Sequence, residues 1–300
     1  RAQEKDGIRR VFRLTADDVA AEVPAYGRFV AAQIEALGRD HPTVKTQLFS
    51  EELQGEGGMF DPARRERMCG GHPAETAPIP GERYAFLLDV GGSGPGEQHD
   101  ASALTILRVD ASGLGRADEA GPVYRVAARR MWLGSAYTAL LASLRALAET
   151  WRPLDIVVDA TGIGAGLAES IARHCVAQVH RFIFTASSKS RLGWDFGRLC
   201  DAGAFLDHAE AAGEAGELQA LFWRQAAACE FIRRPGPRKE VSWGVPDGTR
   251  DPLKGGPLRD DLLVSAALAA ELEKYIPLPT SGALLVPAAD PLAEMDREAF

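Results

Sequence analysis

Between Tyr84 and Tyr275 the apolar residues fall into short runs and helix-spaced clusters whose order leaves few folds open. Tyr84 to Val90 is a short apolar run of the kind found in a buried strand. Ala103 to Val109 and Val123 to Trp132 are two more strand candidates, separated by Gly, Asp and Pro turns. Ala136 to Thr150 then places Leu140, Leu141, Leu144 and Leu147 at helical spacing. Asp155 to Asp159 reads as strand, Gly166 to Cys175 as helix and Val179 to Thr185 as strand. Leu192 to Ala202 and Glu217 to Cys229 read as helices, and Asp260 to Tyr275 closes the series as one more helix. Three consecutive strands imply an antiparallel meander, and the later alternation implies parallel strands with helical crossovers. The expected fold class is α/β: a mixed sheet, antiparallel meander plus parallel strands, flanked by helices.

The preceding residues have a different character. Residues 1–80 show no clean two-residue alternation. Ala16 to Leu37 is expected to be helical, with Val19, Val23, Tyr26, Val30 and Ile34 near one face. Pro42 and the Gly55 to Gly58 cluster punctuate the next stretch, and Pro73 to Gly81 reads as a linker. The expected organisation is a helical linker segment over 1–80, a main domain over 81–278 and a flexible tail over 279–300.

Composition removes several function classes. At 300 residues the chain can bury a sizeable core without staples. No apolar run approaches the roughly 18 residues that span a bilayer. The chain opens at Arg1 with no apolar leader, so it reads as cytoplasmic or as a piece of something longer. Cys69, Cys175, Cys200 and Cys229 are scattered, and Cys69-Gly-Gly-His72 lacks the second ligand pair that structural zinc requires. The net charge of −8 argues against a surface coated for nucleic acid. It leaves room for a local basic groove, because affinity comes from individual phosphate contacts.

The chemistry is carried by aspartates placed where apolar elements meet loops. Asp89 ends the first strand run, in Leu87-Leu88-Asp89-Val90-Gly91-Gly92. Asp159 ends the fourth, in Ile156-Val157-Val158-Asp159-Ala160-Thr161-Gly162. Asp260 and Asp261 open the last helix. If the two strands are adjacent and parallel, Asp89 and Asp159 emerge side by side, and a helix crossing that edge brings a third carboxylate in. Carboxylates so gathered repel one another unless cations neutralise them. Oxygen-only ligands favour hard ions, Mg²⁺ or Mn²⁺, and a pair of such ions suits phosphodiester hydrolysis. The plain alternative is that each aspartate merely forms a turn or caps a helix, Asp260 above all.

The motifs around these residues resemble a known family. Asp89-Val-Gly-Gly-Ser, followed by His99-Asp100-Ala-Ser-Ala-Leu-Thr-Ile-Leu, resembles the first two strands of the C-terminal nuclease domain of phage terminase large subunits. Val158-Asp159-Ala-Thr-Gly-Ile-Gly is similar to that family's second acidic motif, and Arg259-Asp260-Asp261-Leu-Leu-Val-Ser-Ala-Ala-Leu-Ala to its third. His41-Pro42-Thr-Val-Lys-Thr-Gln-Leu-Phe and Gly57-Gly-Met-Phe resemble the stretch that joins motor and nuclease in that family. Arg259 stands where the family motif often has His. The resemblance implies an RNase H-like fold and an endonuclease cutting double-stranded DNA. It implies Asp89, Asp159 and Asp261 as catalytic residues and metal ligands for two ions, Mg²⁺ or Mn²⁺, with Asp260 or Asp100 as auxiliary ligands. Residues 260 and 261 lie about 100° apart on a helix, so only one can point squarely at a given ion. The implied partners are DNA, a terminase small subunit and a portal or capsid, with no membrane. The implied place is the bacterial host cytoplasm.

Other readings stay beside this one. Gly162-Ile-Gly164-Ala-Gly166 sits where a dinucleotide-binding loop would, but the next strand end carries no acidic residue for a ribose. A tight strand-to-helix turn explains these glycines. Asp89-Val-Gly-Gly-Ser also resembles the first phosphate loop of actin-like ATPases, and another RNase H-like nuclease such as a junction resolvase would use the same aspartates. No GxxxxGK[ST] run occurs, so the sequence holds no P-loop motor. For DNA contacts the candidates are Lys189 and Arg191, expected just after a strand, and Arg233, Arg234, Arg238 and Lys239 in a Pro- and Gly-bearing loop. Trp194, Trp223 and Trp243 are expected to be packing residues.

Overall fold

A computed structural model describes residues 15–37, 44, 48–49, 57–92, 101–112, 121–233 and 240–276. The expected tail over 279–300 lies outside them. The chain divides into two compact units, one within residues 1–55 and 282–300 and the other spanning 56–281.

In the first unit α1 (Ala16–Glu22) and α2 (Pro24–Leu37) replace the single expected helix. Pro24 has no N–H to donate, so it ends one helix and starts the next. Thr15 and Asp18 form a reciprocal cap at the head of α1. Val30 and Ala16 are buried with Val44 and Phe49, and Tyr26 and Ile34 pack against them.

The second unit begins at β1 (Gly57–Gly58) and α3 (Pro62–Arg67), well before the boundary expected near residue 80. Met59, Phe60 and Met68 belong to its core. The strands are β2 (Tyr84–Asp89), β3 (Ala101–Asp110) and β4 (Val123–Leu133), then, after α4 (Tyr137–Trp151), β5 (Asp155–Asp159). Next come α5 (Gly164–His174), β6 (Gln178–Phe182), α6 (Ala186–Asp201) and β7 (Phe205–Leu206). The remainder is α7 (Gly213–Ala228), β8 (Glu230–Arg233), β9 (Val241–Gly244), α8 (Asp261–Ala267), α9 (Ala269–Leu272) and a 3-10 turn over Glu273–Tyr275.

Six strands form one mixed sheet in the order β6-β5-β2-β3-β4-β7. β2, β3 and β4 are the antiparallel meander, and β5 and β6 add in parallel beside β2. A small second sheet pairs β1 with β8 and β8 with β9, all antiparallel. Segment 68–72 runs beside β7, where Asp207 N–H donates to the Met68 carbonyl and Gly70 N–H to that of Asp207. Asp207 in turn forms a buried ion pair with Arg129 of β4 at 2.8 Å.

The two-residue period of a strand decides which helix layer each side chain meets. Tyr84, Phe86 and Leu88 of β2 and Ile156 and Val158 of β5 pack with Leu140, Leu144, Leu167 and Ile171 of α4 and α5. Ala85 and Leu87 of β2 and Val157 of β5 face the other way, onto Leu192, Phe196, Phe222, Leu262 and Ala266 of α6, α7 and α8. Asp89 and Asp159 continue the second parity, so both emerge on the face that α8 covers. No helix among the described residues is long and apolar enough to cross a membrane.

Candidate metal centre

Strand register brings the first two aspartates together. β2 and β5 run parallel with Leu88 opposite Val158, so the next residue on each, Asp89 and Asp159, leaves the sheet at the same edge. Asp159 is held by a short turn in which Thr161 N–H donates to its Oδ1 at 2.8 Å. Thr161 Oγ1 accepts from Phe184 N–H at 2.8 Å, which ties that turn to the segment after β6. Gly162, at φ +56, makes the turn possible. Gly164 then starts α5 so close to β5 that a Cβ there would stand 2.1 Å from the Asp159 carbonyl oxygen. The glycine run is therefore a tight strand-to-helix turn beside the acidic edge.

The third carboxylate arrives on α8. Ser265 is one turn beyond Asp261, and its hydroxyl reaches the Leu87 carbonyl at 2.8 Å and Thr105 Oγ1 at 2.9 Å. This pins the helix across β2 and β3, with Asp261 next to the ends of the strands. Gln225 Oε1 of α7 accepts from Leu263 N–H at 3.0 Å, satisfying one free donor of the first turn. Asp261 is buried and also accepts from the Ala101 N–H at the start of β3. Asp260 occupies the N-cap position, but its side chain makes no capping bond. It lies instead 3.7 Å from Lys189 Nζ.

The electrostatics mark this edge off from ordinary turns. Burial and the repulsion of Asp159, Asp261 and Asp260 push the Asp89 carboxyl well above the usual range, against a smaller opposite pull from Lys189. Burial and the neighbouring Asp260 charge push Asp261 up to about 7. Burial raises Asp159, opposed by its bond from Thr161. A capping or turn aspartate whose charge is stabilised shifts down. Asp18 and Asp110 do so here, held by Thr15 and by Ser112 respectively. The carboxylates stand within electrostatic reach of one another. Among the described residues no three His, Cys, Asp or Glu groups converge into a ready-made cage. The donor set is oxygen only, four carboxyl groups against the nearby charges of Lys189 and Arg259, and that chemistry fits a hard divalent cation. Asp89, Asp159, Asp261 and Asp260 are the described residues able to hold one. Asp100 lies outside the described residues.

The basic candidates divide. Lys189 and Arg191 follow β6, in the first two turns of α6, which starts at Ala186 under a Thr185–Ser188 cap. Lys189 faces the acidic edge, its amine 5.2 Å above the ring of Trp243 while Trp243 Nε1 donates to the Lys189 carbonyl at 2.6 Å. Gly244, at φ +150, clears space for the pair, since a Cβ there would lie 2.4 Å from Asp260 Oδ2. Arg191 is exposed and pairs with Glu271 of α9 at 3.7 Å. Arg233 ends β8, and Arg234, Arg238 and Lys239, in the connection from β8 to β9, lie outside the described residues. Trp243 is buried, as expected of a packing residue, yet also positions Lys189. Ser265, Thr161 and Gly244 were not anticipated. The one available signal was Ser265, a lone hydroxyl in the apolar run Leu262-Leu-Val-Ser-Ala-Ala-Leu-Ala, one helical turn from Asp261.

No family model matches the sequence, and no curated protein matches it. Solved structures do share its fold. The large terminase nuclease from thermophilic phage G20c with bound magnesium aligns with a TM-score of 0.51 at 16% identity, over 73% of this chain and 98% of that one. The same nuclease with bound cobalt gives 0.51 at 17% identity over the same shares. Its structure described without a metal gives 0.50 at 16%, over 72% and 98%. With its six-strand mixed sheet flanked by helices, the chain has the RNase H-like α/β fold of large terminase nuclease domains.

Proposed function

We propose that this chain is the nuclease part of a viral DNA-packaging terminase, acting in the host cytoplasm. In this reading it is a Mg²⁺- or Mn²⁺-dependent endonuclease that cuts double-stranded DNA with little sequence preference. Asp89, Asp159 and Asp261 hold two ions, with Asp260 or Asp100 assisting. The observation that carries this reading is the register that brings Asp89 and Asp159 out at one sheet edge, with Asp260 and Asp261 heading the helix pinned across it. Such an arrangement is unfavourable by itself and becomes favourable around divalent cations. The G20c nuclease with magnesium or cobalt bound supports the same class of ligand.

When bound, such ions acidify water and stabilise the leaving oxygen of a phosphodiester. The chain's own contribution is orientation. The sheet fixes Asp89 and Asp159, Ser265 fixes the approach of Asp261, and the Thr161 turn holds the Asp159 carboxylate. Lys189 offers a cation beside Asp260 that a phosphate can meet, and Arg191, Arg233, Arg234, Arg238 and Lys239 are the further candidates for phosphate contacts. Among the described residues no helix combines Arg, Asn and Gln on one exposed face as major-groove readers do, which supports weak sequence preference. A terminase small subunit and a portal or capsid are the implied partners.

The test is plasmid cleavage. Purified protein cuts with Mg²⁺ or Mn²⁺, is silent in EDTA, and binds Ca²⁺ without turnover because its looser coordination fits the site poorly. Undiminished cutting in EDTA by protein free of other nucleases contradicts the reading.

A further inference from the structure

The sheet has a second functional-looking edge, opposite the carboxylates. β2, β5 and β6 run parallel, so their first residues lie together, roughly 13 to 17 Å from Asp89 and Asp159 at about four or five strand residues. A groove of about 790 Å³ opens there, between the strand starts and the C-terminal ends of α4 and α5. Its lining combines three arginines, Arg83, Arg145 and Arg152, with Leu154, Val176 and Tyr275.

Each part is unusual in its context. Nine large apolar side chains stand exposed among the described residues, and three of them line this one groove: Leu154, Val176 and Tyr275, at 48%, 107% and 40% exposure. Arg152 is the one non-glycine residue at positive φ among those described, at +47, in the left-handed position that ends α4. Glycine is the easy choice there. An exposed arginine lines the groove there instead. Arginines at helix ends ordinarily complement the helix dipole, and Arg152 does so, but Arg145 stands earlier in α4 and Arg83 precedes a strand.

We propose that this groove docks an acidic, amphipathic peptide segment of a partner protein, with apolar anchors against Leu154, Val176 and Tyr275 and carboxylates on Arg83, Arg145 and Arg152. The volume suits a few anchor side chains. A polynucleotide fits worse. Its phosphates give Leu154, Val176 and Tyr275 no apolar surface to contact. Asp155 is already engaged by His180 at 2.8 Å, and Tyr275 stacks on that histidine, which fixes the aromatic wall of the groove. Apolar anchors ringed by charge are the usual form of a peptide-binding groove.

The experiment uses the full chain and a fluorescein-labelled helical peptide with leucines on one face and glutamates on the other. Anisotropy should report binding that weakens with salt. Arg145→Glu combined with Arg152→Glu should weaken it by about tenfold or more, and so should Val176→Asp alone; all three residues are exposed, so each variant should still melt cooperatively, with a small drop in melting temperature where Glu replaces Arg152 at the end of α4. A peptide with lysines in place of the glutamates should not bind. Absence of binding by the acidic peptide, or equal binding by the variants, overturns the proposal. Displacement of the peptide by a DNA duplex that itself loses affinity in the arginine variant assigns the groove to nucleic acid instead. Concentration-dependent self-association that Val176→Asp abolishes assigns it to a second copy of the chain.

Discussion

Asp261 keeps its proton to a pH at which a free carboxyl group has long lost it, and that has a measurable consequence. Its value is raised to about 7 in the fold and returns to about 4 when the chain unfolds. Between those limits the folded state binds the additional proton, so metal-free stability falls as pH rises through that window. Melting temperatures in EDTA should therefore drop from pH 5 to pH 7.5, and Asp261→Asn should flatten the drop. A wild-type curve that rises over this interval, with the variant parallel to it, contradicts the shift. Gly164 tests the neighbouring carboxylate. A methyl group there meets the Asp159 carbonyl oxygen at 2.1 Å, a backbone atom with no flexible tip to yield. Gly164→Ala should cost about 1–3 kcal/mol in denaturant titrations and displace Asp159, lowering DNA cleavage. The aspartates were legible in the sequence because each terminates an apolar run or opens one. Thr161, Ser265 and Gly244 were not, because their partners lie far away in the chain and no local pattern names them.

The α8 helix decides whether a third carboxylate reaches the edge at all. Its face is almost wholly apolar, and an apolar helix can slide on an apolar sheet. Ser265 removes that freedom by bonding the Leu87 carbonyl and Thr105. Ser265→Ala should cost about 1–3 kcal/mol, since it leaves a buried hydroxyl short of a partner, and should also reduce cleavage by loosening Asp261. Ser265→Ala with normal cleavage would show that packing alone places the helix. The central elements were readable: the meander, α4, β5 and α5 have strong periods and clear turn residues. The start of α6 was hidden because its first turn, Ala186-Ser-Ser-Lys-Ser, carries no apolar stripe and its signal is the Thr185–Ser188 cap. The expected single helix over 260–275 is broken into α8, α9 and a 3-10 turn, although its apolar spacing runs through. Strands as short as β1 and β7, two residues each, have too few positions to show a period.

The molecule as a whole is acidic, yet its proposed substrate is a polyanion. Location reconciles the two. In the proposed function, negative charge concentrates where cations are to bind, and Lys189 beside Asp260 supplies local positive charge. The boundary expected near residue 80 misjudged the Pro- and Gly-rich stretch, which is fastened to β4 through the Glu75 N–H on the Ala127 carbonyl instead of linking separate bodies. Proline and glycine report a chain without regular structure, and whether that chain packs depends on neighbours such as Met59, Phe60 and Met68, which enter the core. Whether the acidic edge is a metal centre or a set of turn formers is decided by Asp89→Asn, Asp159→Asn and Asp261→Asn measured in two ways. One is melting temperature in EDTA, and the other is plasmid cleavage with Mn²⁺. Each substitution keeps the shape and removes one repelling charge. A metal centre predicts equal or higher melting temperatures, with cleavage lower by orders of magnitude. An Asp159→Asn protein that melts lower and still cuts at close to the wild-type rate would contradict it.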